Sequence, residues 1–207
     1  MITRESRRLG MRCAAPVAVL AALLLAGCTE EAGHLSGVYE SGTGDGYISG
    51  DGRVVQLAEA DRESPVEFGG TLDTGKTFDS ADAAGKVVVV NFWYASCPPC
   101  REEAPDLAKL HAQFADADVV MLGVNVSDTA DVARGFESKF SLGYPSIVDA
   151  EDNAVQLAFA GGKYAPNSVP TTLVLDRQGR VAARFSGLIQ SPSVVADIID
   201  ELLAEKA

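Results

Sequence analysis

The chain has 207 residues, enough for one domain with a sizeable core. It is acidic, with a formal net charge of −12 at pH 7 and no basic patch interleaved with aromatics, which argues against nucleic-acid binding. It has four cysteines, of which two, Cys13 and Cys28, fall in the N-terminal segment, and a domain that needed disulfide staples would carry more than the remaining pair.

The first segment has the form of an export signal. Arg4, Arg7, Arg8 and Arg12 precede the apolar run AAPVAVLAALLLAG, which is short for a bilayer span and has the shape of a signal-peptide core. The run closes with LAGC (25–28), which resembles the bacterial lipobox, with small residues at Ala26 and Gly27 where a peptidase must fit. The alternative is an uncleaved anchor helix with an incidental cysteine. The lipobox reading makes residues 1–27 a lipoprotein signal peptide and Cys28 the lipid site. The twin arginine at Arg7 and Arg8 leaves the export route open. An acidic surface would not hold anionic headgroups, so a lipid on Cys28 would have to supply the anchoring, with several acyl chains holding more firmly than one.

Residues 28–45 are rich in Gly, Ser, Thr and Glu and read as a flexible tether reaching roughly 20–25 Å. His34 lies there with no partner in view. The folded domain is expected over 46–207, with an N-terminal extension over 46–80. In it, YISGDGRVVQL reads as two short strands around a Gly-Asp-Gly turn, and TLDTGKTF as a hairpin turning at Thr74 and Gly75. AEADRESPVEF between them reads as irregular.

KVVVVNFWY is β-branched and unbroken, as expected of a strand buried on both faces. A helix is predicted from about 98 to 114, with Leu107, Leu110 and Phe114 on its apolar face and Pro105 disturbing its early turns. VVMLGVNV is a second buried strand. TADVARGFESKF is a helix with Asp128 or Thr129 as N-cap. YPSIVD is short and extended, and EDNAVQLAFA is a helix ended by Gly161 and Gly162. TTLVLD and RVAARFSG form a closing hairpin. The last helix carries a stripe of Val195, Ile198, Ile199 and Leu202. Early strands that alternate with helices should be parallel, and the whole should be an α/β sandwich.

The chemistry concentrates at Cys97-Pro98-Pro99-Cys100, where a buried strand hands over to a helix. Two thiols at this spacing can clip a metal, lock a loop or pass electrons. Cys13 leaves with the signal and Cys28 is the expected lipid site, so Cys97 and Cys100 are the remaining pair. A zinc site needs two further ligands. His111 is the one other histidine in the domain and reads as an exposed helix residue, so no metal and no cofactor are expected. At the helix N-terminus the macrodipole and free N–H groups favour a thiolate on Cys97. Cys100, one turn in, should be more buried. This assigns attack to Cys97 and resolution to Cys100.

VVVVNFWYASCPPCREEAPDL with the later SVPTTLVLD resembles the thioredoxin superfamily, and within it the membrane-anchored, extracytoplasmic TlpA/ResA-like thiol–disulfide oxidoreductases. The resemblance covers roughly residues 60–205. It implies a thioredoxin-like three-layer sandwich with an N-terminal β-hairpin extension and an inserted helix. It implies substrate-binding roles for Trp93 and for Val169 and Pro170. The last two form a cis-proline loop whose Val169 backbone would pair with an extended substrate segment. Thioredoxin's buried aspartate is replaced by Asn91, which cannot act as a base. The TlpA/ResA-like glutamate corresponds to Glu103, expected to take the proton of Cys100. Cys100 and Glu103, three apart on a helix, can share a face. Ser96 stands where thioredoxin has a tryptophan.

The direction of electron flow is read from the dipeptide between the cysteines. Pro98 and Pro99 offer no N–H and no charge, so the Cys97 thiolate is stabilised only moderately, which favours a reductant. The resemblance implies a membrane thiol transporter of the CcdA/DsbD type as donor, and apocytochrome c as substrate at the extracytoplasmic face of the bacterial membrane. Competing readings are general disulfide exchange or oxidation, a thiol peroxidase, and a non-catalytic binding lipoprotein. FWYASC lacks the Pro and Thr of the peroxidase pattern PxxxTxxC.

Overall fold

The computed structural model describes residues 47–48 and 53–205. The signal expected over 1–27, Cys28, and the tether over 28–45 lie outside the described residues. The strands are β1 (Tyr47–Ile48), β2 (Val54–Gln56), β3 (Gly69–Thr71), β4 (Thr77–Asp79), β5 (Val87–Trp93), β6 (Val119–Asn125), β7 (Ser146–Val148), β8 (Thr171–Leu175) and β9 (Val181–Ser186). The helices are α1 (Pro98–Gln113), α2 (Ala130–Phe140), α3 (Ala154–Ala160) and α4 (Pro192–Ala204).

Seven strands form one sheet in the order β1-β2-β9-β8-β5-β6-β7, with β5, β6 and β7 parallel and the rest antiparallel. All seven residues of β5 are buried, which explains why its sequence shows no alternation. Its side chains still divide by face with period two. Val87, Val89 and Trp93 pack with Leu107 and Leu110 of α1, Phe136 of α2 and Ile198 and Ile199 of α4. Val88, Val90 and Phe92 pack with Phe159 of α3 and with Phe68 and Leu72 of the N-terminal extension. This is the three-layer α/β sandwich the sequence predicts.

The N-terminal extension differs in one respect from the expected pair of appended hairpins. β1 and β2 do pair, but β2 also adds to β9, with Val54 opposite Phe185, so both strands prolong the main sheet. The β3–β4 hairpin is a separate small sheet, turning at Gly75 (φ +81°) and bridged to β7 through Leu72 and Ile147. The segment between them holds a short 3₁₀ turn, Glu59–Asp61.

That segment also supplies Arg62, which ties the extension down. Asp176, fully buried after β8, accepts from Arg62 Nη1 at 3.0 Å and Arg180 Nε at 2.7 Å. It also accepts the backbone N–H groups of Gln178 and Arg180. Arg62 in turn holds Glu205 beyond α4 at 2.6 Å. Removing one partner of a buried ion network leaves the others without compensation. Asp176→Ala is therefore expected to lower unfolding stability by about 3 kcal/mol in a urea titration.

Candidate active site

β5 ends at Trp93, and the chain turns through Tyr94, Ala95 and Ser96 into α1. Cys97 is the N-cap of that helix, and Pro98 and Pro99 occupy its first two positions. Proline suits those positions because its φ is already helical and an N–H there would have no intrahelical partner. The first N–H of the helix is thus that of Cys100, and it donates to Cys97 Sγ at 3.2 Å. The two sulfurs are joined as a disulfide with the Cα atoms 5.3 Å apart.

The expected difference in burial between the cysteines is not found: each is 2 % exposed. Ser96 and Pro98 on either side of Cys97 are exposed, so the buried disulfide lies next to surface residues. What separates the two is position on the helix. Cys97 caps the positive end, whereas Cys100 lies within the first turn, three residues before Glu103.

The loop is clamped from two sides. Asp128 accepts the N–H of Ala95 at 2.6 Å and the side-chain amide of Asn125 at 2.9 Å. Arg101 reaches back to the carbonyl of Ala95 at 3.0 Å, with its guanidinium 5.5 Å from the ring centre of Phe140. Asp128 is not a helix cap: Thr129 holds the N-cap position of α2, with no side-chain capping bond. Trp93, expected at the substrate surface, is only 2 % exposed. Its ring lies against Phe136, 4.2 Å between centroids, and its Nε1 donates to Ser146 Oγ at 3.1 Å. It supports the loop from beneath.

Glu103 is 2 % exposed, a carboxyl group sealed into the core. Oε1 accepts from Asn91 Nδ2 at 2.9 Å, and Oε2 from the backbone N–H of Ile189 at 3.2 Å. Burial pushes its pKa up to about 7, against the opposing pull of these two donors. A carboxyl so placed can exchange a proton with a thiol near neutral pH. The second hydrogen of the Asn91 amide goes to Thr172 Oγ1 at 3.0 Å.

Val169 and Pro170 are joined by a cis peptide bond. Pairing of Phe92 with Thr171 sets Pro170 level with the end of β5, where the cysteine loop begins. The Pro170 carbonyl accepts the N–H of Gly187 at 2.8 Å. Val169 is half-buried and packs against the cluster that contains both cysteines. His111 stands apart from the site. It is half-buried rather than exposed, its ring 5.5 Å from that of Tyr144.

Sequence reasoning missed Thr172, Asp128 and the Ile189 N–H, and gave Asn91 only a negative meaning. A signal for two of them was present. Asn91 and Thr172 are polar residues within otherwise apolar buried strands, and such groups need partners.

Comparison with known proteins agrees with this geometry. The AhpC/TSA family profile matches residues 62–184. The chain is 32% identical over 168 residues to the thiol:disulfide interchange protein HelX of Rhodobacter capsulatus, covering 79% of this chain and 90% of that one. It is 26% identical to the thiol-disulfide oxidoreductase ResA of Halalkalibacterium halodurans over 113 residues, which is 55% of this chain and 61% of ResA. Among solved structures, a secreted thiol-disulfide isomerase from Corynebacterium glutamicum matches with a TM-score of 0.64 and 32% identity, over 77% of this chain and 97% of that one. A DsbF homologue from Corynebacterium diphtheriae matches with a TM-score of 0.63 and 32% identity, over 74% and 96%. The chain therefore belongs to the AhpC/TSA family of the thioredoxin superfamily, as a thiol–disulfide oxidoreductase of the ResA/HelX type.

Proposed function

We propose that this oxidoreductase is a disulfide reductant, anchored by a lipid on Cys28 at the extracytoplasmic face of the membrane and held off it by the 28–45 tether. In the reduced protein the Cys97 thiolate attacks a disulfide of a protein substrate. One sulfur of that disulfide bonds to Cys97, and the other leaves as a thiolate. Glu103 then takes the proton of Cys100, and the Cys100 thiolate attacks Cys97 Sγ. The mixed bond breaks, the second substrate sulfur leaves, and the Cys97–Cys100 disulfide remains. Two electrons have passed to the substrate. Val169 and Pro170 present the backbone edge on which the substrate segment lies. A membrane thiol transporter of the CcdA/DsbD type is the proposed source of electrons, and apocytochrome c, which must be reduced before haem attachment, is the proposed substrate.

The observation that carries the direction is the single N–H donor to Cys97 Sγ. The prolines at the first two helical positions have no N–H to offer a Cys97 thiolate, which leaves the Cys100 N–H as the donor the helix end supplies. Strong oxidants owe their potential to a heavily stabilised reduced thiolate. A redox titration against glutathione is expected to give a potential near that of thioredoxin, about −270 mV, and a value near about −120 mV would reverse the direction. The name of the C. glutamicum neighbour, an isomerase, favours general disulfide exchange as the second reading.

A further inference from the structure

We infer that Asn91 and Thr172 form an amide–hydroxyl switch that serves Glu103 in both of its protonation states and places the transferred proton on Oε1. The inference rests on the proposal that Glu103 accepts the proton of Cys100. It assigns positioning roles to two residues whose hydrogen bonds go to Glu103 and to each other.

A buried base must be satisfied before and after it takes a proton. An ionised carboxylate only accepts hydrogen bonds, whereas the protonated form also donates one. The two oxygens of Glu103 face different chemistry. Oε2 meets the backbone N–H of Ile189, which can only donate and cannot turn. A proton on Oε2 would find no acceptor in that N–H. Oε1 meets the side-chain amide of Asn91. Rotation about the last bond of that side chain exchanges its NH₂ and C=O ends, so one residue can present a donor or an acceptor.

Thr172 makes the exchange complete. Asn91 and Thr172 are direct partners across the antiparallel β5–β8 pair, so their side chains share one face of the sheet. In the structure the amide donates one hydrogen to Glu103 Oε1 and the other to Thr172 Oγ1. A hydroxyl both donates and accepts. Once the amide has turned, Glu103 O–H and Thr172 O–H both donate to Asn91 Oδ1. Both bonds of the row reverse together, and the amide hydrogens turn to the side that Oδ1 now occupies. In the step itself the proton leaves Cys100 Sγ, which becomes a thiolate, and bonds to Glu103 Oε1, which becomes a neutral carboxyl. No other group gains or loses a proton.

One titratable group near Glu103 is Tyr144, from the segment before β7. Burial holds its hydroxyl protonated throughout the neutral range. Cys100 is the titratable neighbour on the same helix. Neither takes the place of the amide: Tyr144 Oη makes no hydrogen bond among the described residues, whereas Asn91 bonds Glu103 Oε1 directly. Thr172 also lies two residues past Pro170, so the switch stands between the acid and the proposed substrate loop.

The test is an NMR titration of the reduced full-length protein, with the Glu carboxyl carbons and the Asn side-chain amides labelled. In the wild type, the Asn91 NH₂ signals are expected to shift with the same midpoint as the Glu103 carboxyl. Asn91 signals that ignore the Glu103 titration overturn the switch, and this reading needs no variant. Thr172→Val keeps the shape and removes the hydroxyl. Its ionised state leaves an amide hydrogen without a partner, so Glu103 is expected to titrate about one pH unit higher, a tenfold change. Thr172→Ser is expected to restore the wild-type midpoint, and equal midpoints for the Val and Ser variants would also overturn the switch. The Cys100 midpoint, followed by alkylation rate with and without Glu103→Gln, tests the underlying proposal separately. An unchanged Cys100 midpoint removes the base, while the Asn91 and Thr172 readings still decide the switch.

Discussion

Cys97→Ala is expected to lower disulfide reduction on the order of 10³-fold or more, because it removes the proposed nucleophile of the first step. Cys100→Ser is expected to behave differently. The first exchange proceeds, the second cannot, and the substrate stays bound to Cys97 as a mixed disulfide. The distinction is informative because burial does not make it: both cysteines are 2 % exposed. The assignment comes from the helix end. Cys97 is the N-cap, and its sulfur accepts the Cys100 N–H at the positive pole of α1. Non-reducing gels and mass spectrometry of partners captured by each serine variant check it. Capture by Cys97→Ser and not by Cys100→Ser would invert the roles. The captured proteins also settle the biology. Cytochrome c precursors point to maturation, and a broad set points to general disulfide exchange.

The legible part of this sequence is the part whose signals are local. The unbroken KVVVVNFWY run, the strand-to-helix position of the cysteine pair and the terminal stripe of Val195, Ile198, Ile199 and Leu202 each depend on neighbours within a few residues. The less legible part depends on contacts across the chain. β2 is three residues long, and its partner β9 lies some 130 positions away, so nothing near β2 tells an appended hairpin from a continued sheet edge. Asp128 looked like a cap for the helix that follows it, yet its carboxylate is used by Ala95, 33 residues earlier. Glu102 and Glu103 are identical in composition and adjacent in sequence, but one is exposed and the other buried. Only the helical phase set by Cys100, Ala104 and Leu107 separates them, together with a donor from β5 that no spacing rule points to. Asn91 shows the limit most clearly. The sequence marks it as a missing acid, whereas in the fold it holds the acid that is present.

Glu103→Gln is expected to stabilise the protein by about 3 kcal/mol at pH 8, to change little at pH 4, and to slow release of the mixed disulfide. The sign follows from the proton count. Burial moves the carboxyl from 4.5 to about 7 in the folded protein. Below pH 4.5 the folded and unfolded chains both hold the proton, and the group contributes nothing to the pH dependence. Between 4.5 and 7 the folded chain keeps a proton that the unfolded chain has lost, so stability falls with rising pH by roughly 1.4 kcal/mol per unit. Above 7 both are ionised and the loss is constant. The glutamine amide stays neutral throughout, so the variant lacks this slope. It also imitates the protonated acid, with one acceptor for the Ile189 N–H and one donor for a turned Asn91 amide. Urea denaturation of both proteins at pH 4, 6 and 8 measures the difference, and a gap of equal size at all three pH values would show that Glu103 is not raised by burial. A residue whose replacement improves stability while impairing turnover is one the fold keeps for chemistry. In a core built from Val89, Leu107, Ile198 and Ile199, a sealed carboxyl has no packing advantage over an apolar side chain. Its place three residues after Cys100 is the one the proposed proton transfer requires.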